Sequence, residues 1–173
     1  MTETESEKFA WEITPLTECQ ISSFHAVHKD WNELRGKRFA PAWQDIDLQS
    51  FEYSSISHIC VIDVQDSPPF KYRFFGSSLT ELHHLELTNK TTAEIMPLAY
   101  RRLCEDQYAR IIESRSPMLF VGSVKSELGF ERKHYNLRFP LSDDGETITN
   151  ILTIENYDEI PDEMKKVYRD SSL

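Results

Sequence analysis

Two groups of apolar segments, each joined by tight-turn chemistry and separated by helical sequence, limit the fold more than any other feature. His58 to Val64 is a nearly continuous apolar run with β-branched residues. Asp66-Ser67-Pro68-Pro69 is a turn signal, and Phe70 to Phe75 is a second, aromatic segment. Within it Phe70, Tyr72 and Phe74 alternate with Lys71 and Arg73, which predicts one apolar face. Three further strands are expected over Met118 to Lys125, Phe130 to Leu141 and Thr147 to Asn156. Glu127-Leu128-Gly129 and Ser142-Asp143-Asp144-Gly145 separate them, and each holds a Gly able to supply the positive φ of a tight turn. Hairpins interrupted by helices cannot build a regular parallel α/β sheet. The expected class is therefore α+β, a five-stranded antiparallel sheet with helices packed over one face.

The helices follow from period and punctuation. Thr17 and Gln20 have capping-box spacing, and Ile21, Phe24, His28 and Trp31 form an apolar stripe that ends near Arg35, before Gly36. The stripe has a/d spacing for only about two heptads, so it docks on its own domain or on a second copy. In the second case these four residues form a homodimer or partner interface. Ser77 to Leu85 is a short helix. Pro97 opens the longest one, with Tyr100, Leu103, Cys104, Tyr108, Ile111 and Ile112 on one face and Ser116-Pro117 as its stop. A chain of 173 residues fits one domain. Its expected parts are a flexible acidic arm (1–16), an N-terminal flanking helix and connector (17–55), the sheet domain (56–156) and a tail with a short helix (157–173).

Charge narrows the partners. Nineteen Lys and Arg against 29 Asp and Glu give a net charge of −10, which repels phosphate backbones and anionic lipid. Neither nucleic acid nor membrane is an expected partner. No apolar run reaches the roughly 20 residues of a spanning helix, and the acidic N-terminus is no signal sequence. Cys19, Cys60 and Cys104 are odd in number and far apart, as in reduced thiols of a cytoplasmic protein.

Several blocks then resemble a known family. Trp31, Arg35-Gly36, Arg38, Pro41 and Asp45-Ile46-Asp47 resemble the entry segment of small bacterial stand-alone PAS-like proteins. His58 to Val64 resembles their first strand, and Phe70-Lys71-Tyr72-Arg73-Phe74-Phe75-Gly76 their second. Leu87-Thr88-Asn89-Lys90 stands at a Leu-Thr-Gly-basic turn, and Phe139 to Gly145 resembles their last hairpin. The likeness runs from about Trp31 to Glu155. Two positions depart from it, with His84 and Asn89 where the group shows Gly. The resemblance implies a PAS fold and a role in signal transduction, and it names no ligand.

Alternation on the expected strands selects the residues that face a sheet–helix cavity. These are Cys60, Tyr72, Phe74, Phe120, Tyr135 and Asn150, with Tyr100 from the long helix. Asn150 stands out as an amide between Ile148 and Leu152, because a buried amide needs a partner. No metal site is expected, since His25 with His28 and Glu81 with His84 offer two ligands each where zinc takes three or four. Haem is not expected, because the long helix carries no His. LOV-type flavin is not expected either, because Cys104 lacks the Asn-Cys-Arg context. No catalytic motif is present, so no catalytic residue is assigned. The reading is a sensory module that binds a partner protein, tuned by a small ligand. A ligand-free adaptor or dimerisation protein is the alternative, and a small α+β enzyme comes third.

Overall fold

Ser142-Asp143-Asp144-Gly145 turns the chain as its composition predicts. The Asp144 carboxylate accepts from the backbone N–H of Glu146 at 2.8 Å and of Thr147 at 2.7 Å, while Gly145 takes a φ of 77°. The turn joins β5 (Glu131–Leu141) to β6 (Asn150–Tyr157). The computed structural model describes residues 9–50, 56–125 and 131–157. Among these, the other strands are β1 (Phe9–Thr14), β2 (Ile59–Asp63), β3 (Lys71–Phe75) and β4 (Met118–Lys125). All pair antiparallel in one sheet of order β1-β4-β5-β6-β2-β3. The helices are α1 (Ser22–Arg35), α2 (Ser77–His83) and α3 (Leu98–Ser114), with short 3-10 turns in the connector.

Each face of the sheet has its own core. On one, Ile59, Val61, Leu119, Leu137, Phe139, Leu141, Leu152 and Ile154 meet Phe24, Val27 and Trp31 of α1. On the other, Cys60, Ile62, Tyr72, Phe75, Phe120 and Ile151 meet Leu79 of α2 and Cys104, Tyr108 and Ile111 of α3. The central strands are thus covered on both sides, and their buried positions alternate between one core and the other.

The α+β class holds, with six strands where five are expected. The additional strand is β1, inside the stretch read as a flexible arm. The Glu-rich composition ends before Phe9, and Phe9, Trp11 and Ile13 then alternate with Ala10, Glu12 and Thr14. β1 pairs along β4, and Trp11 packs edge-on against Phe120 at 5.3 Å. Residues 1–8, the connection at Glu127-Leu128-Gly129 and the helix expected in the tail lie outside the described residues.

The N-terminal helix begins later than its capping pattern suggests. Leu16–Glu18 form a 3-10 turn closed by Cys19 N–H on the Leu16 carbonyl at 3.0 Å, and α1 starts at Ser22 after Ile21. Its stripe docks on the chain's own sheet. Phe24 is fully buried, and Trp31 donates its indole N–H to the Pro140 carbonyl at 3.0 Å and packs on Phe139. His28 stacks on the same Phe139 ring, and Ile21 packs against the same core. The stripe thus faces the chain's own sheet, with Phe24 and Trp31 buried and Ile21 and His28 half-buried.

His84 and Asn89 have positive φ, 49° and 65°. This is the left-handed region, which Gly enters freely, Asn tolerates and His enters at a cost.

Candidate functional site

The sheet face under α3 carries an unexpected polar layer. On β5, His134, Asn136 and Arg138 alternate with Tyr135, Leu137 and Phe139. The apolar set packs toward α1, which turns the polar set toward α3. On β6, Thr153 and Glu155 share the α3 face with Ile151, and Arg138 lies opposite Thr153. From α3, Gln107 occupies a place in the buried stripe with Cys104, Tyr108 and Ile111.

Arg138 is the centre of this layer and is 1% exposed. Its Nε donates to Gln107 Oε1 at 3.0 Å and its Nη1 to Thr153 Oγ1 at 2.7 Å. The guanidinium lies 4.3 Å from the Tyr108 ring centroid, and the Tyr108 hydroxyl meets that of Tyr72 at 3.2 Å. Among the described residues no carboxylate lies within 4 Å of the guanidinium. Two neighbouring amide atoms are buried without a partner, Gln107 Nε2 and Asn136 Oδ1. The magnitudes differ. A buried orphan amide atom costs about 1–3 kcal/mol, whereas a buried ion away from a counter-charge costs several kcal/mol, on the order of 3–5 when a partner is removed. The direct hydrogen-bond acceptors of Arg138 are neutral, and the buried Glu155 carboxylate acts on its charge from the next rung of β6.

Glu155 lies one rung along β6 and is engaged elsewhere. Its Oε2 accepts from His134 Nε2 at 2.9 Å, both side chains being buried. Burial pushes the Glu155 carboxyl up, but the His134 bond and the charges of His134, His83 and Arg138 outweigh it and hold the group down to about 2. His83 of α2 stacks on Tyr100 at 5.6 Å and approaches the His134 ring at 6.4 Å, so this pair sits inside an aromatic cluster. Burial pushes the Cys104 thiol up to about 12 and Cys60 higher still, against the opposing pull of Arg138. Both remain protonated thiols at neutral pH, which suits packing and not nucleophilic chemistry.

Of the residues expected to line one cavity, Cys60, Tyr72 and Phe120 share the α3 face, and Tyr100 packs against their core. Phe74, Tyr135 and Asn150 do not join them. A register shift between Val61 and Ile62 places Tyr72 opposite Ile62 but Phe74 opposite Val61. One extra residue on β3 reverses its alternation, so Phe74 faces α1. Tyr135 belongs with Leu137 on that same α1 face, because both faces of β5 are buried and an apolar residue has no preferred side. Asn150 is buried on the α1 side, where its Nδ2 donates to Asp63 Oδ1 at 2.7 Å. Asp63 also accepts from Arg73 Nε at 2.6 Å, so a side chain serves the Nδ2 end of Asn150, while its Oδ1 is buried without a partner. The unanticipated residues are Arg138, Gln107, Asn136, Thr153, His134 and Glu155. Their sequence signal was present, as a Gln inside an apolar helical stripe and a strand whose two alternating sets are both too long to leave exposed.

Among the described residues no group of three or more His, Cys, Asp or Glu is arranged to hold a metal. His25 contacts the Cys19 carbonyl at 2.8 Å. No described helix is long and apolar enough to cross a membrane.

A family model described as a PAS domain matches residues 19–154. No curated protein matches the sequence. Among solved structures, the light-state and dark-state structures of the blue-light photoreceptor Aureochrome1 LOV are each 10% identical. Their TM-scores are 0.43 and 0.44, the match covers 68% of this chain in both, and it covers 91% and 85% of those chains. The structure of a point variant of RsLOV is 4% identical, with a TM-score of 0.44 over 86% of this chain and 75% of that one.

Proposed function

The chain belongs to the PAS domain family, and from that membership we propose a sensory module whose contacts with a protein partner are tuned by a small molecule held between the sheet and α3. The observation that carries the reading is the buried network on that face. A fully buried guanidinium whose direct acceptors are neutral, flanked by two unpartnered amide atoms, is an arrangement a bound molecule completes. The face reads as a binding site, since its thiols are protonated and its carboxylate is engaged by His134. A net charge of −10 favours a protein partner with a basic surface over nucleic acid or anionic lipid.

Native mass spectrometry of the full chain purified from its own host tests the reading. An added non-protein mass is expected, lost on denaturation and absent from a Gln107→Leu variant whose near-ultraviolet circular dichroism is unchanged. Crosslinking in host lysate then compares the two proteins, and the partner is the protein whose crosslinks change with the variant. A clean mass for both proteins together with identical crosslinks would replace this reading with a ligand-free adaptor.

A further inference from the structure

We propose that the outer side of β1 pairs antiparallel with β1 of a second copy, Trp11 facing Trp11, so that two sheets run on as one in a homodimer. This joint needs no ligand and is independent of the ligand-tuned reading above.

The sheet has two outer strands, and the chain treats them differently. Along β3, the segment 89–92 closes the outer side. Tyr72 donates its N–H to the Lys90 carbonyl at 2.8 Å, Asn89 to the Tyr72 carbonyl at 2.8 Å and Thr92 to the Phe70 carbonyl at 2.9 Å, while Lys71 is bridged to Thr91. Among the described residues nothing pairs with the outer side of β1. Nor does this strand carry the devices that keep an edge single. It runs in unbroken register along β4, holds neither Pro nor Lys, and has one charged residue, Glu12.

The backbone shows which groups are on offer. A Cβ on Gly122, the β4 residue opposite Trp11, would lie 3.5 Å from the Ala10 carbonyl oxygen, so that carbonyl points toward β4. In an antiparallel pair the N–H and C=O of one residue share a side, and those of its neighbours take the other. Ala10, Glu12 and Thr14 therefore face β4 with their backbone groups, and residues 9, 11 and 13 turn theirs outward.

Those outward positions complement themselves. A two-fold axis at Trp11 sets Ile13 opposite Phe9 and Glu12 opposite Ala10, so outward residues meet outward residues and no charge meets its like. Centring the axis on Glu12 would set carboxylate against carboxylate and oppose backbone groups that β4 already uses. Ile13 is 49% exposed, and the second copy covers it. Because the β3 edge is closed, addition stops at two copies. A joint of one short strand is small, and each copy carries a net charge of −10, so the dimer is weak and tightens as salt screens that repulsion.

Sedimentation velocity on the full chain is expected to show a monomer–dimer equilibrium with a midpoint on the order of 10–100 µM, falling as salt is added. Ile13→Pro deletes only an outward N–H, so it should weaken the dimer at least about tenfold and leave the melting temperature of the dilute monomer near that of the parent. Ala10→Glu tests the same joint without proline, by facing the Glu12 carboxylate of the other copy, and should also weaken it. Mild oxidation of mixed Ala10→Cys and Glu12→Cys chains should give a disulfide-linked dimer that neither chain gives alone, since Cys19, Cys60 and Cys104 are all buried. A monomer at every concentration, or a dimer indifferent to both Ile13→Pro and Ala10→Glu, would overturn the joint. Crosslinking of Glu12→Cys with itself would overturn the register, and growth beyond two copies would overturn the closure.

Discussion

His84 shows how much one backbone angle can decide. It ends α2 in the left-handed region with a φ of 49°, a conformation that costs an L-residue with a Cβ on the order of 1–2 kcal/mol. Gly at a helix C-terminus avoids that cost, offset in part by the greater freedom of the unfolded chain. His84→Gly is therefore expected to raise stability by about 0.5–1 kcal/mol, read from the urea midpoint. Trp31 lies at the other extreme. Its ring is buried and its N–H is bonded to the Pro140 carbonyl, so Trp31→Ala removes both a large apolar volume and a hydrogen bond. A loss of about 3–5 kcal/mol is expected on thermal unfolding, with oligomeric state unchanged, since the contact lies within one chain.

At the scale of elements, the β3–α2 junction depends on one close approach. Gly76 follows β3, donates its N–H to the Ile59 carbonyl at 2.9 Å and passes the Ser57 carbonyl so closely that a Cβ would sit 2.3 Å from that oxygen. Because the obstructing atom is backbone, Gly76→Ala must displace a chain segment. A loss of at least about 1–3 kcal/mol is expected, with the largest amide chemical-shift changes at residues 56–59 and 76–79. This junction also marks the limit of what a linear pattern reveals. The strands, the long helix and the last hairpin were legible because period and turn chemistry are local properties. The facing of Phe74 was not, since the register shift in β3 arises from pairing with β2. Nor was the polar layer. Tyr135 was expected in the cavity-facing set of β5, and only the docking of α1 on that side turns His134, Asn136 and Arg138 toward the other core. The β1 strand was legible in its alternation, and the acidic residues before it masked the signal.

For the molecule as a whole, acid stability should follow the buried His134–Glu155 pair. The folded protein holds the Glu155 carboxyl at about 2, below its ordinary value of 4.5. A depressed carboxyl stabilises the fold fully above the ordinary value, and that contribution disappears as the pH falls toward the folded one. Urea midpoints measured from pH 7 to 2 should therefore fall most steeply below about pH 4.5. Glu155→Gln should be less stable at neutral pH and flatter across that interval. An unchanged slope in the variant would assign the acid sensitivity to other carboxylates.

A sheet covered on both sides has a consequence for how this sequence can drift. In a strand with one wet face, every second position absorbs substitution freely, and tolerance rises and falls with a period of two. From Asn136 to Leu141 every residue of β5 is buried, alternately toward α1 and toward α3. A saturation scan scored for folded protein should find an unbroken trough across these six positions, with no alternate relief. Leu137, Phe139 and Leu141 should reject polar replacements, and Arg138 should reject acidic ones. Variation in this chain is thus channelled away from its central strand, toward the edge strands and the turns.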